Sequence, residues 1–254
     1  MKELPTIPAE GRDPDDTATG GGPPVPPQVA SSKLIATLAI AGALAGLVIV
    51  LVFQWADPQI QAHREAALRA AVLEVLNGPA SYRSLYVTPD GLVEKLPEGS
   101  DTVTAEKVFL GFDASGAPAG YAVTGAEPGF QDVIQLIFGY DVDSGRLLGM
   151  KVLESKETPG LGDKIIKDMN FVNGFQGVSA PIVGVKQGAG TGSENEVDMI
   201  TGATISSRAV IGIINHRLEA LGPALTEHEP GPAPQAPPVA TADSSAGAGG
   251  DEGS

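Results

Sequence analysis

Residues 198–207 read Asp-Met-Ile-Thr-Gly-Ala-Thr-Ile-Ser-Ser. The hydroxyl of Thr204 follows two small residues, Gly202 and Ala203, so a bulky ligand can approach the backbone there. The amphipathic residues 205–221 come next and predict a helix. A phosphate joined to Thr204 would therefore lie at a helix start, where free N–H groups and the helix dipole favour an anion. The alternative interpretation is a turn followed by an N-cap, because Ser, Thr and Asp commonly begin helices.

The composition excludes several kinds of chemistry. The chain has 254 residues, no cysteine and a formal net charge of −15 at pH 7. Without cysteine there is no disulfide, no thiol catalysis and no cysteine-ligated zinc or iron–sulfur cluster, so any electrons must be carried by an organic cofactor. The negative charge argues against a nucleic-acid partner. The histidines, His63, His216 and His228, are too scattered to suggest a metal site.

The two ends of the chain differ in composition from its middle. Residues 1–32 and 223–254 are rich in Pro, Gly and acidic residues, and we expect both tails to be disordered. Residues 33–54 contain an uncharged run of about 20 apolar residues, which is long enough to cross a bilayer as a helix. Trp55 follows where interfacial aromatic residues are often found. A cleaved signal peptide is the alternative, but the run is long for one and no clear Ala-x-Ala site follows.

The orientation of this predicted transmembrane helix is not settled by charge. Lys33 lies on its N-terminal side, but Arg64 and Arg69 follow on the other side. Residues 55–78 then predict a stalk helix, because apolar residues recur at helical spacing until Asn-Gly-Pro at 77–79 stops it.

Residues 79–222 are predicted to form one α+β domain. Its β-prone runs are separated by Gly, Pro and Asp turns and predict strands at 103–112, 120–124, 133–140 and 147–153. Two helices are predicted, around 163–173 and 206–221. Strands and helices without a regular βαβ alternation indicate the α+β class.

A second motif, residues 157–162, reads Glu-Thr-Pro-Gly-Leu-Gly and follows a predicted strand. Its proline favours a turn, while Gly160 and Gly162 permit positive φ angles and close approach of the backbone to a flat ligand. Glu157 and Thr158 could offer polar groups to the edge of such a ligand. An ordinary strand-to-helix turn is the alternative interpretation.

The order and spacing of these motifs resemble the FMN-binding domain shared by two proteins. One is the G subunit of the Rnf-type electron transport complex, and the other is the C subunit of the sodium-pumping NADH:quinone reductase. The resemblance covers roughly residues 34–221 and rests on the segments 129–141, 145–149, 157–162 and 198–207. The details of the last two segments are more like the Rnf protein. Members of the family often carry a His two residues before the motif glutamate, where this chain has Ser155.

The resemblance implies a residue-by-residue assignment of the cofactor site. FMN would be attached covalently through a phosphoester to Thr204, while Thr201, Gly202 and Ala203 would shape the approach to the phosphate. Asp198 would belong to the sequence read by a flavin transferase, which takes FMN from FAD with Mg²⁺. A second set would border the isoalloxazine: Glu157, Thr158, Gly160, Leu161 and Gly162. Ser206 is a weaker candidate as a phosphate donor.

The resemblance also implies the cellular role. The chain would be a single-pass protein of the bacterial inner membrane, with its FMN domain on the periplasmic side. It would pass electrons to other subunits of an ion-translocating oxidoreductase complex, a translocase. The flavin would supply the chemistry, so neither a catalytic side chain nor a metal is assigned. Two alternatives are a stand-alone membrane-anchored flavin reductase and a non-redox assembly or anchor subunit.

Overall fold

The computed structural model describes residues 31–100 and 105–234, so most of both predicted disordered tails lies outside the described residues. Contacts divide the chain into one unit that ends at Gln59 and a second that begins at Ile60. The elements follow in the order α1 (Ser31–Val75), β1 (Ser81–Thr88), β2 (Gly91–Val93), β3 (Lys107–Phe112), β4 (Pro118–Pro128), β5 (Val133–Asp141), β6 (Arg146–Glu154), α2 (Lys164–Lys167), α3 (Met169–Asn173), β7 (Val183–Lys186), β8 (Glu196–Met199) and α4 (Thr204–Glu227).

Helix α1 contains the long apolar run. Among the described residues it is the one helix long and apolar enough to cross a membrane, with a mean hydropathy of 2.7 in its most apolar window. The side chains of residues 32–55 are all exposed, and the helix continues through Pro58. The predicted transmembrane and stalk helices thus form one continuous helix, which ends at Val75, three residues before the predicted bound. The predicted stop at Asn-Gly-Pro is consistent with this end, because Asn77 and Gly78 take positive φ angles of 56° and 75°.

The main sheet has six antiparallel strands in the order β2-β1-β3-β4-β5-β6. Strands β3 to β6 confirm the four predicted strands, with somewhat different ends. Strands β1 and β2 were not predicted, and neither was the parallel pair of β7 and β8. Strands β2, β7 and β8 have only three or four residues, which is too short for a periodic pattern to stand out, and β1 has one buried residue, Leu85, among half-buried ones.

Both faces of the main sheet are covered, which gives three layers. Residues Ala71, Val72, Val75 and Leu76 at the end of α1 pack on one face, against apolar side chains from β3, β4 and β5. On the other face, α2, α3, α4 and the β7–β8 pair bury the larger core. This mixture of an antiparallel sheet with segregated helices confirms the predicted α+β class.

The prediction of a single helix at 163–173 is wrong, because the chain forms α2 and α3 with a break at Asp168. The backbone of Asp168 is extended, with ψ of 97°, and its carboxylate accepts the N–H groups of Asn170 and Phe171. A short polar side chain that bonds the backbone in this way begins a new helix rather than continuing the old one.

The ordered part of the domain extends beyond its predicted end at residue 222. Helix α4 continues through Pro223 to Glu227, because Leu221 and Leu225 are both buried in the core. The chain that follows also contacts the domain, where the guanidinium of Arg83 donates to the carbonyl oxygen of Pro232. The prediction of a disordered tail is therefore wrong for residues 223–234.

The end of α1 lies unusually close to the sheet at Gly139. A Cβ atom on Gly139 would overlap the carbonyl group of Val75. It would lie 2.9 Å from the carbonyl carbon of Val75 and 3.0 Å from the Cβ of Leu148. Gly149 is paired directly with Gly139 on the neighbouring strand. A Cβ there would come no nearer than 3.9 Å to the same carbonyl oxygen.

This pair of glycines gives a matched test of the packing. Gly139→Ala should lower the free energy of unfolding by about 1–3 kcal/mol, because the helix end and the strand must move apart. Gly149→Ala should cost much less, since its methyl group makes ordinary van der Waals contact. Thermal and denaturant unfolding of both variants measures the difference. Equal losses would show that the close approach at Gly139 does not hold the helix on the sheet.

Candidate functional site

The carboxylate of Glu157 is the centre of the candidate site. Glu157 follows the end of β6 and is only 5% exposed. Its Oε1 accepts the backbone N–H groups of Phe130 and Gln131 at 2.9 and 3.0 Å, in the turn between β4 and β5. Its Oε2 accepts the hydroxyl of Ser206 at 2.8 Å, in the first turn of α4. One side chain thereby connects three separate segments of the chain.

Two glycines make room for this carboxylate. A Cβ atom on Gly162 would lie 2.5 Å from Oε2 of Glu157 and 3.1 Å from Oγ of Ser206, and one on Gly129 would overlap Oε1. Gly162 does not have the positive φ angle expected for it. Its lack of a side chain instead leaves the space that the carboxylate of Glu157 occupies. Gly160 does have a positive φ, of 79°, and its missing Cβ would meet open space.

The hydrogen bonds also set the charge of Glu157. Burial raises the pKa of its carboxyl, but the backbone N–H of Gln131, the hydroxyl of Ser206 and further N–H groups of the turn lower it. The net pKa lies below the ordinary value of 4.5. Glu157 is therefore ionised at neutral pH, and the donors around it stabilise a negative charge.

The start of α4 leaves Thr204 accessible. Thr204 is the first residue of the helix and is exposed, while the preceding N-cap position is held by the buried Ala203, whose side chain provides no cap. No threonine of this motif occupies the N-cap position, so the alternative interpretation of the motif as an N-cap is wrong. Gly202 has a φ of 85° and no heavy atom within 4 Å of the position a Cβ would take, so the backbone before Thr204 is open to a ligand.

The remaining residues of the 198–207 motif hold this turn in place. The hydroxyl of the buried Ser207 accepts the N–H of Ile200 at 3.2 Å and donates to the carbonyl of Ala203 at 2.9 Å. Thr201 and Asp198 are exposed, and Oγ1 of Thr201 lies 3.3 Å from Oε1 of Gln187. The hydroxyl of Ser206 is buried and donates its one proton to Glu157, which argues against its predicted role as a phosphate donor.

Three exposed apolar side chains belong to the three segments that Glu157 connects. Phe130, Leu161 and Ile205 are 65%, 52% and 53% exposed, and we call them the apolar rim. The backbone of Phe130 itself bonds Glu157. Leu161 precedes Gly162 and Ile205 precedes Ser206, the two residues that lie against the carboxylate of Glu157. The hydroxyl of Thr158 also bonds the side chain of Gln131 at 2.7 Å and so ties two of the three segments together. Such a rim suits a flat aromatic ligand.

Sequence reasoning assigned Leu161 to the site but not Phe130 or Ile205. Phe130 lies within a segment that carried the family resemblance, yet nothing local marks it as exposed. Ile205 belongs to the amphipathic pattern of α4 and would ordinarily be assigned to a core. Its exposure of 53% is the signal, and only the structure provides it.

A cavity of about 930 Å³ lies between α2–α3 and the β7–β8 pair. Asp198 and Thr201 of the motif line it, together with Lys164 and Lys167 of α2. Lys167 is paired with Asp163 at 2.6 Å. The cavity includes Asp198 to Thr201 but not Thr204, and its charged lining is mixed, since Asp168, Glu196 and Asp198 line it beside the two lysines. The 157–162 turn is connected to the start of α4 through Glu157 and Ser206. Within the described residues no group of His, Cys, Asp and Glu side chains could hold a metal ion.

Comparisons with known proteins identify the family that this domain resembles. The model of the FMN-binding domain family matches residues 129–219, which include both turns around Glu157 and most of α4. The G subunit of the ion-translocating oxidoreductase complex of Methanosarcina acetivorans is 29% identical over 188 residues, covering 74% of this chain and 93% of that protein. The corresponding G subunit of Pseudomonas aeruginosa is 33% identical over 192 residues, covering 69% and 82%.

Two solved structures share the fold. NqrC of Shewanella oneidensis aligns with a TM-score of 0.52 at 19% identity, over 66% of this chain and 100% of that one. The C subunit of the Na⁺-translocating NADH-quinone reductase of Parabacteroides distasonis aligns with a TM-score of 0.53 at 23% identity, over 67% and 97%. At these identities the comparison establishes the fold only.

The lowered pKa of Glu157 predicts how stability depends on pH. The contribution of the carboxylate should be complete at pH 7 and should decline as the pH falls below the unfolded value of about 4.5 and through the lower folded pKa. The variant Glu157→Gln does not titrate, so its free energy of unfolding should fall less steeply over this range. Denaturant unfolding at a series of pH values measures both slopes. Parallel curves would mean that Glu157 contributes nothing through its charge.

Proposed function

This chain belongs to the family of G subunits of ion-translocating oxidoreductase complexes, as its motifs predict, and from that premise we propose its function. It is a membrane-anchored flavoprotein subunit that carries FMN in a phosphoester to Thr204. It passes electrons within a redox-driven ion-translocating complex. Its partners are the other subunits of that complex, and a flavin transferase that loads it.

The exposed hydroxyl of Thr204 at the open start of α4 is the observation that carries this proposal. Helix α4 has 24 residues and no side-chain cap at its start, so its free N–H groups and its dipole favour a phosphate there. The left-handed backbone of Gly202 and the open space beside it allow that group to reach the chain. The residues present therefore fit a phosphoester-linked cofactor.

The other residues of the site have separate tasks in this proposal. Thr201, Gly202 and Ala203 shape the approach to the phosphate, and Asp198 at the end of β8 belongs to the sequence that the transferase recognises. The turn at 157–162 and the apolar rim border the isoalloxazine, with Thr158, Gly160 and Leu161 on the side of the turn. When bound, the flavin would supply the electron-transfer chemistry.

Residues 33–54 of α1 serve as the membrane anchor. Their high hydropathy and their exposure among the described residues support this, since such an apolar surface needs apolar surroundings. We place the flavin domain on the periplasmic side of the bacterial inner membrane, as the family resemblance implies. A covalent tether suits that compartment, because dissociated FMN would not readily be replaced there.

The complex-bound role is preferred over the two alternatives. The relatives that match most of this chain are named as subunits of a complex, which favours it over a stand-alone flavin reductase. A non-redox assembly subunit would not need an uncapped helix start beside an exposed threonine. The geometry at Thr204 therefore supports a redox role.

The covalent attachment is tested by removing one hydroxyl at a time. When the chain is produced with a flavin transferase, its denatured band should be fluorescent and its mass should include FMN. Thr204→Ala should lose both signals and keep its fold, because the exposed side chain contributes little to packing. Thr201→Ala removes the other exposed hydroxyl of the motif and should still carry the FMN mass. Flavin retained in Thr204→Ala would move the attachment site elsewhere.

The membrane topology is tested with protease. The anchor should remain uncleaved in the mature chain, and protease added to spheroplasts should degrade the domain that follows it. Intact cells, whose periplasm the protease cannot enter, provide the control, and the domain should survive in them. Degradation of the N-terminal tail alone would reverse the proposed orientation and remove the domain from the periplasm.

A further inference from the structure

We propose that Glu157 is a positioning residue for the attachment threonine rather than a ligand of the flavin ring. By holding the turn 129–132 and Ser206 at the same time, its carboxylate fixes the first turn of α4 so that Thr204 faces outward. This inference rests on the proposed function, because it concerns the same threonine.

The contacts of Glu157 already use both of its oxygens. Oε1 accepts from the backbone of the β4–β5 turn and Oε2 accepts from Ser206. With the side chain 5% exposed and crowded by Gly129 and Gly162, neither oxygen is turned toward solvent as a ligand would require. The side chain acts on its neighbours inside the protein.

Helix geometry connects Ser206 to Thr204. Each residue of an α-helix turns by about 100°, so residues two apart project on nearly opposite sides, about 200° apart. Ser206 is buried against Glu157 and Thr204 is exposed, as this geometry requires. Fixing the direction of Ser206 therefore fixes the direction in which Thr204 presents its hydroxyl.

A second contact holds the same helix start from the other side. Ser207 bonds Ile200 and Ala203, the residues of the turn that leads into α4. That contact keeps the turn attached to the helix, but it does not determine how the helix start lies relative to the rest of the site. The bond from Ser206 to Glu157 does so, because Glu157 is itself bonded to the end of the main sheet.

The chemistry of the contact predicts which substitutions are tolerated. In Glu157→Gln the amide oxygen can still accept from Phe130 and Gln131, and the amide N–H₂ can donate to Ser206 once that hydroxyl rotates. In Glu157→Ala the N–H groups of the turn and the hydroxyl of Ser206 lose their acceptor. Positioning should therefore survive in the first variant and fail in the second.

Asp113 offers a matched control. Its carboxylate accepts the N–H groups of Ser115 and Ala117 at 2.8 and 3.0 Å and so closes the β3–β4 turn by the same chemistry. That turn lies at the opposite end of β4 from the turn 129–132. Asp113→Ala thus removes a carboxylate that holds a turn without touching the start of α4.

The experiment measures the initial rate of flavin attachment to the full-length chain. Each purified flavin-free variant is incubated with a flavin transferase, FAD and Mg²⁺, and covalent flavin is followed by fluorescence of the denatured band. The thermal unfolding midpoint of each variant is recorded beside it. All rates are taken at a temperature where circular dichroism shows the variants to be folded.

Glu157→Ala should slow attachment by about tenfold to a hundredfold, which is the effect of misplacing a reacting group by roughly an ångström. Glu157→Gln should recover most of the rate. Asp113→Ala should stay within about twofold of the original chain, whatever its loss in stability. This pattern supports the positioning role, because a general loss of stability would affect both alanine variants.

Other results overturn the inference. Attachment at the original rate in folded Glu157→Ala would do so, and so would a loss that follows the unfolding midpoint equally in Glu157→Ala and Asp113→Ala. If Glu157→Ala does not fold, the attachment rate of Ser206→Ala tests the inference instead, because this variant removes only the hydrogen bond between α4 and Glu157. A slower rate in that variant supports the role and an unchanged rate excludes it. Failure of the unmodified chain to take flavin at Thr204 would instead refute the proposed function itself.

Discussion

The buried negative charge of Glu157 is the constraint on which the candidate site depends. A carboxylate taken out of water must be met by hydrogen-bond donors, because its uncompensated burial costs several kcal/mol. Here the donors come from the β4–β5 turn and from Ser206. The glycines at 129 and 162 follow from the same constraint, since a side chain at either position would occupy the space of the carboxylate. The three segments of the site therefore cannot shift independently.

The scaffold brings these segments to one end of the main sheet. The turn between β4 and β5, the end of β6 and the start of α4 meet there, while the end of α1 and helix α4 cover opposite faces of the same strands. Packing on both faces makes the sheet a rigid base. A site built on the ends of such strands can be accessible without being mobile, which suits the proposed presentation of the Thr204 hydroxyl to a flavin transferase.

Charge is distributed unevenly between the site and the rest of the protein. The chain as a whole carries a formal charge of −15, yet the proposed phosphate would lie at the positive end of the α4 dipole. The local field at a helix start is thus favourable for an anion although the net charge is not. The absence of cysteine excludes cysteine-ligated redox centres, and the uncapped helix start is where we propose that the flavin is attached.

The sequence by itself determined the family, the α+β class, the strands β3 to β6, the apolar helix that stops before the Asn-Gly-Pro at 77–79, and the position of Thr204 at a helix start. All of these depend on patterns or motifs within short segments. The tertiary structure alone decided that Glu157 faces inward, that Gly162 is small because of Glu157, and that Phe130 and Ile205 are exposed. The physical reason is distance along the chain, since Glu157 is 27 residues from Phe130 and 49 from Ser206. No local pattern shows which donors a buried carboxylate will meet once the chain has folded.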